Sequence, residues 1–456
     1  MTKSERSAAA EKNWTEGNPV RNILVLSWPI MISDGLRIIG PTIDMIWIGK
    51  LGAASVAGLG LGGMFNLIVM FGVMGINTGM MALIARSMGR KDKQGANHVA
   101  QQTMAVCIIY SILIAFIGIL FAEQIMGLLG MEADVIAEGA SYIRITFAGT
   151  AAIALGMTFE GIMQASGDSV TPMRISLYYR IIHIVLCPFL IFGLWIFPRM
   201  GVSGAALVNI ISQFVGMGLA LFALYTGRTR IRLVLKGFRL DPKTIWRIIR
   251  IGFPFSLGMA GRVVGRLAIY WLMSPFGTVA VAAHAVVERI EIFLTTPGFG
   301  FGKGSAVLVG QNLGARQPER AERSGWLGVF FVEIAMFIAA AAMFFYPELI
   351  IGAFSSDPEL IREASVFLQI LVPGLFALGM NVVFEFSLVG AGDTIPPMLG
   401  TFVTMLLVPV PVALFFRNFT DFGVFGIRWA VVIGLAAGSL GYIIYWRMGR
   451  WKKTNV

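Results

Sequence analysis

A chain of 456 residues that is 57% hydrophobic and only 13% charged cannot cover a soluble surface, for which roughly a quarter of the residues are normally charged. Twelve crossings of about 20 to 25 apolar residues would use about 240 to 300 residues, leaving short connections and no sizeable soluble domain. The net charge of +11 falls mostly in those connections, where basic residues set topology rather than grip phosphate, so a lipid bilayer is the expected partner and nucleic acid is not.

In chain order, residues 1–22 carry Lys3, Glu5, Arg6, Glu11, Lys12, Glu16 and Arg21 and read as a polar cytoplasmic lead, not a cleavable signal. Six apolar runs follow near 23–48, 54–85, 97–121, 139–164, 173–197 and 203–225, and define an amino-terminal lobe over 23–227. A basic segment, 228–246, reads as a cytoplasmic linker. Six further runs near 247–273, 279–309, 325–346, 364–389, 398–416 and 424–446 make a carboxy-terminal lobe over 247–447, ahead of a cytoplasmic tail at 448–456. Long runs without strand-like alternation predict an all-α polytopic membrane protein of twelve transmembrane helices. Lys and Arg crowd one set of alternate connections, while the opposite set holds only Lys50, Arg199, Arg362, Arg417 and Arg428. That bias predicts both termini cytoplasmic, and the protein is expected in the plasma (inner) membrane. Cys107 and Cys187 each lie inside an apolar run and predict neither a disulfide nor a metal site.

Charges inside a membrane cost about 2.5 to 3.5 kcal/mol each on insertion scales and are functional candidates by default. The first run holds Asp34, Arg37 and Asp44, with Arg37 and Asp44 on one face, about 10.5 Å apart along the axis. Pro29 and Pro41 offer bend points, so an acid beside a helix break could link its charge to helix shape. The fourth run holds Glu160, followed one turn on by Gln164. The seventh holds Arg262, and the tenth holds Asn381 and Glu385. Arg37 with Glu160, and Arg262 with Glu385, are expected to pair within each lobe, because buried charges need partners. The eighth run is the most polar: His284, Glu288, Glu291 and Thr295 recur at helical spacing and trace one stripe. This stripe reads either as a water-lined, cation-binding wall or as local pairing with Arg289, Arg266 or Lys303. With no Cys or second His near it in sequence, the stripe is not expected to bind metal. Pro297 and Gly304 spoil the P-loop match of Gly298–Ser305, and Asp168 and Asp393 precede new helices as turn and cap residues do.

The two halves are copies. At a constant spacing of 225 residues, Pro29 matches Pro254, Arg37 matches Arg262, Gly52 matches Gly277, Gly79 matches Gly304, and Glu160 matches Glu385. The turn Gly167-Asp168 returns as Gly392-Asp393, and near the end the spacing slips to 222, where Gly201 and Gly204 match Gly423 and Gly426. Six crossings per copy is an even number, so the repeats are parallel, an arrangement used by secondary transporters that alternate access about a site between halves.

These residues bring a family into view. Asp44 within Thr42-Ile43-Asp44-Met45-Ile46-Trp47-Ile48-Gly49-Lys50-Leu51-Gly52, the two Gly-Asp turns, Val281-Ala282-Ala283-His284 and Gly201-Val202-Ser203-Gly204-Ala205-Ala206 carry the likeness. On them, nearly the whole chain resembles the multidrug and toxic compound extrusion (MATE) family, within the multidrug/oligosaccharidyl-lipid/polysaccharide flippase superfamily. The resemblance implies a two-lobed, non-enzymatic exporter of small organic molecules, cationic or amphipathic, driven by entry of H+ or Na+, with Asp44 as the coupling acid. Beyond the coupling ion no cofactor is expected, and the protein is expected to be a monomer. Asp34, Arg37 and Glu160 join Asp44 as ion-coupling candidates. His183, Arg262, His284, Glu288, Glu291, Asn381 and Glu385 are the candidates for the substrate cavity. His183 and Cys187 stand where many members have Asn and Asp, and Arg262 stands where one branch has a glutamate, so neither branch's ion network carries over whole; protons are favoured over sodium. The rival readings are a flippase for a lipid-linked precursor, an integral-membrane enzyme and a channel. Only three histidines, His98, His183 and His284, are present to build an enzyme centre, and the asymmetry of the polar stripe argues against a symmetric pore.

Overall fold

Proline and glycine punctuate a chain that is otherwise apolar enough to be helical throughout. Proline opens several helices at a position whose N–H has no intrahelical acceptor, and left-handed glycines close several others. The computed structural model describes residues 13–127 and 133–454; residues 1–12 of the expected lead lie outside them. Its first half contains α1 (Pro19–Ile48), α2 (Ala53–Gly89), α3 (Lys93–Gly127), α4 (Ala133–Ala148), α5 (Thr150–Ser166), α6 (Val170–Phe192) and α7 (Gly201–Tyr225). The second half contains α8 (Pro242–Met273), α9 (Thr278–Gly314), α10 (Pro318–Phe345), the short α11 (Pro347–Gly352), α12 (Pro358–Ala391), α13 (Ile395–Phe402), α14 (Pro409–Phe419) and α15 (Gly423–Met448). No strand occurs among the described residues. Ten stretches are individually long and apolar enough to cross a membrane, and α4 with α5, bent by 50°, makes an eleventh. The polar α9 completes the twelve-helix arrangement. Between α13 and α14, Pro409 cannot donate to the carbonyl four residues back, and the ladder slips into a π turn over Val403–Leu407.

The duplication is written into the backbone. Positive φ angles recur in pairs: Gly52 at 119° with Gly277 at 98°, Lys91 at 62° with Arg316 at 59°, Gly167 at 93° with Gly392 at 80°, and Gly201 and Gly423 both at 55°. The Gly-Asp turns are a matched pair of helix stops. Gly167 N–H donates to Gln164 and Asp168 N–H to Met163, while Gly392 donates to Val389 and Asp393 to Leu388; both are Schellman closures. After the first, the Asp168 carboxylate caps the next helix by accepting from Thr171 N–H at 3.1 Å. After the second, Asp393 instead accepts from the Tyr445 hydroxyl at 2.6 Å.

Among the described residues the chain forms two compact units: one comprises residue 13 and residues 32–253, the other residues 14–31 and 254–454. The first part of α1 thus belongs with the second half of the chain, and the first part of α8 with the first half. This differs from the expected boundaries at 23–227 and 247–447. The reason is close helix packing: a Cβ on Gly79 of α2 would collide with the backbone of Ile248 of α8, and one on Gly304 of α9 would collide with the Ser27 hydroxyl of α1. The expected linker, 228–246, is docked rather than loose. Its exposed backbone groups need partners, and polar side chains at the start of α3 supply them. Asn97 Oδ1 accepts from Val234 N–H at 3.0 Å, and Gln102 Nε2 donates to the Arg239 carbonyl at 2.8 Å. Arg230 donates to the carbonyl of Ser166 at 3.0 Å. Asp241 then caps α8, accepting from Lys243 N–H at 3.0 Å and from the Thr244 hydroxyl at 2.6 Å, with His98 Nε2 3.0 Å away. Those bonds, Thr244 first and His98 second, hold the Asp241 carboxyl well below the usual carboxylate range.

Candidate functional site

Two groups of buried and half-buried polar side chains stand out, one in each unit. In the first unit, α1 contributes Asp34, Arg37 and Asp44, α5 contributes Glu160, and α6 contributes Ser176, Arg180, His183 and Cys187. Arg37 Nη2 lies 2.8 Å from Glu160 Oε2, and Ser176 Oγ donates to Oε1 of the same glutamate at 3.2 Å. Asp34, one turn from Arg37 on the same helix, is near enough for its charge to act on the guanidinium.

Asp44 is buried, and two side chains from α6 converge on a single oxygen: His183 Nε2 at 3.0 Å and Cys187 Sγ at 3.2 Å from Oδ1. The spacing of four between His183 and Cys187 puts both on one helix face. His183, expected in the substrate cavity, is therefore part of the Asp44 cluster. Cys187 belongs to the same cluster. Cys107 does stand apart, 3.1 Å from the Thr158 hydroxyl.

In the second unit Arg262 of α8 pairs with Glu385 of α12, reproducing the Arg37–Glu160 pair at the matching positions. Asn381 is held within the packing: its Nδ2 donates to Leu435 O at 3.0 Å and its Oδ1 accepts from Ser439 at 2.9 Å. The α9 stripe is neutralised acid by acid. Glu288 accepts from the Tyr270 hydroxyl at 2.6 Å and pairs with Arg266 at 3.0 Å. Glu291 pairs with Arg428 at 2.9 Å, and the other arm of that guanidinium reaches His284 Nδ1 at 3.0 Å. Because a guanidinium only donates, Nδ1 must accept, which leaves the His284 ring proton on Nε2. Of the partners expected for the stripe, Arg266 takes Glu288. Arg428, placed by sequence among the connections, is instead a fully buried helical cation at 1% side-chain exposure. Thr295 turns back to its own helix, donating to Ile292 O at 2.7 Å.

Three further residues escaped the reading from sequence. Arg180 is buried on α6 against Gly40, with Asp44 and Arg37 within electrostatic reach. Tyr270 completes the Glu288 contact. Glu333 of α10 has both carboxylate oxygens buried with no hydrogen-bond partner among the described residues. None has an acidic or basic counterpart in the other copy, so the internal duplication does not point to them. An ionisable residue inside an apolar run was the available signal for Arg180 and Glu333.

A duplicated set of six membrane-spanning helices, with charge pairs repeated at equivalent positions in both units, defines a polytopic helical protein of the transporter class. The MatE family model matches residues 29–189 and 254–415, one stretch in each copy. A relative from Thermotoga maritima described as "Probable multidrug resistance protein NorM" is 24% identical over 96% of this chain and 94% of its own. Two solved structures of MATE, in the bent and the straight conformation, are similar with TM-scores of 0.89 and 0.90. The bent one is 22% identical and covers 95% of this chain and 96% of its own, and the straight one is 23% identical and covers 98% and 99%. The chain belongs to the MatE family, as the sequence resemblance implied.

Proposed function

We propose that the protein is a secondary-active exporter of small organic compounds, cationic or amphipathic, that works by alternating access and is driven by proton entry through Asp44. It acts as a monomer in the plasma (inner) membrane, with both termini in the cytoplasm. The observation that carries the coupling role is the convergence of His183 and Cys187 on one oxygen of buried Asp44. An ionised Asp44 accepts from both donors. A protonated one accepts more weakly, and its new O–H needs an acceptor, which neither partner offers while it donates. Protonation therefore rearranges the contact between α1 and α6, three residues after Pro41 weakens the α1 ladder. The bent and straight structures of a similar protein support a fold that takes two shapes. The export role is supported by the multidrug-resistance description of the Thermotoga relative.

Sodium fits the cluster poorly. Hard cations prefer several oxygen ligands, whereas an imidazole and a thiol flank Asp44. The test uses purified protein in liposomes with a cationic dye and separately imposed gradients. A proton gradient should drive dye movement and a sodium gradient alone should not. Asp44→Asn should keep the fold, as judged by size-exclusion elution, and lose gradient-driven export. Dye export driven by sodium alone, or near-normal export by well-folded Asp44→Asn, would overturn the reading.

A further inference from the structure

Asp44, His183 and Cys187 are all buried, and their three ligand atoms lie within 4.8 Å of one another. Typical metal bonds are about 2.05 Å to imidazole, about 2.1 Å to carboxylate and about 2.3 Å to thiolate. At tetrahedral angles they set neighbouring ligand atoms roughly 3.4 to 3.6 Å apart. Here His183 Nε2 and Cys187 Sγ stand 3.0 and 3.2 Å from Asp44 Oδ1. An ion entering among them would part these two pairs by only a few tenths of an ångström, and Nε2 and Sγ lie within 4.8 Å of each other.

The donor chemistry selects the ion. One sulfur, one imidazole nitrogen and one carboxylate oxygen suit zinc(II). Magnesium and calcium require oxygen sets, and copper(I) favours sulfur and nitrogen and gains little from the carboxylate. Charge points the same way. Zinc(II) with one carboxylate, one thiolate and a neutral imidazole sums to zero, so the buried complex escapes the desolvation cost of an unpaired ion. His183 Nδ1, moreover, is buried with no hydrogen-bond partner among the described residues. It is the nitrogen left to carry the ring proton once Nε2 binds the metal.

We propose that Asp44, His183 and Cys187 form a zinc(II) site with a fourth position open to water. On binding, the Cys187 thiol releases one proton to solvent, and the His183 ring proton moves to Nδ1, freeing Nε2 for the metal. Asp44 exchanges its two hydrogen bonds for the metal bond. No electron transfer is involved. The site is a matter of ligand binding and stands whether or not the protein couples transport to protons.

The test uses the full chain in detergent, stripped by chelator and titrated with cobalt(II), whose thiolate complexes absorb by charge transfer in the near ultraviolet. One equivalent should give that band with a tetrahedral visible spectrum, and zinc(II) should displace it. Cys187→Ser should abolish the band, whereas Cys107→Ser should keep it. His183→Ala should weaken binding by more than the roughly 10- to 100-fold that changes around a metal's ligands typically cost. X-ray absorption on the zinc-loaded wild type, which needs no variant, should give one sulfur at about 2.3 Å with the remaining ligands nitrogen or oxygen. A wild type without the charge-transfer band, a band that survives Cys187→Ser, or a zinc shell without sulfur would overturn the proposal.

Discussion

Glu385 and Glu333 keep a carboxylate inside a helical unit in opposite ways. Glu385 is tied to Arg262, whereas both oxygens of Glu333 are buried without a hydrogen-bond partner among the described residues. Neutralising Glu385 strands the guanidinium of Arg262, at 19% side-chain exposure; breaking such a pair costs about 3 to 5 kcal/mol. Neutralising Glu333 strands nothing and removes a charge that burial penalises. Glu385→Gln should therefore lower the thermal midpoint in detergent well below wild type, and Glu333→Gln should leave it unchanged or raise it. Equal losses would mean that Glu333 has a cationic partner. The repeated charges were legible in sequence because symmetry points from Arg37 and Glu160 to Arg262 and Glu385. Asp44 was legible from its motif. That His183 and Cys187 both aim at Asp44, and that Arg428 turns inward to His284 and Glu291, depends on helix rotation and packing, which a single sequence does not encode locally.

At the scale of elements, the matched glycines of α2 and α9 do the same job against different neighbours. A methyl group on Gly79 would meet the backbone of Ile248, while one on Gly304 would meet first the Ser27 hydroxyl, which can turn aside. Overpacking costs about 1 to 3 kcal/mol where nothing yields, so Gly79→Ala should destabilise more than Gly304→Ala in thermal unfolding. The reverse order would show that the two crossings do not differ as described. The docked segment before α8 has its own dependence on pH. The Asp241 carboxyl is held below its ordinary value by Thr244 and His98, so its ionised form favours the docked state. That contribution is complete above the ordinary carboxylate value of about 4 and fades as pH falls below it. Protease cleavage within 228–246 should accelerate as pH drops from 5 to 3 with an acid-active protease. In Asp241→Asn, cleavage should be fast throughout and nearly flat with pH. A wild type as flat as the variant would remove Asp241 from the docking.

For the molecule as a whole, twelve runs, their order and the duplication were all legible, because apolar length and glycine spacing are local signals. The docking of the linker was not legible, because its charges resemble those of a solvated loop, whereas the groups that dock it, Asn97, Gln101 and Gln102, lie far away in sequence. The unit boundaries were hidden for the same reason: no local feature says that residues 14–31 pack with the second half. A cut between residues 227 and 228 should consequently yield two fragments that each lack part of a unit. Expressed alone, each should be degraded or aggregate on extraction, and expressed together they should recover a soluble complex. A lone fragment that stays monodisperse would count against this partition. The exchange of segments also sets an order in time. At about 5 to 20 residues per second, the stretch that opens α1 leaves the ribosome tens of seconds before Gly304, the glycine that makes room for it, has been made. The helix begun first is among the last to reach its final neighbours, and until then lipid or a chaperone must shelter its surface.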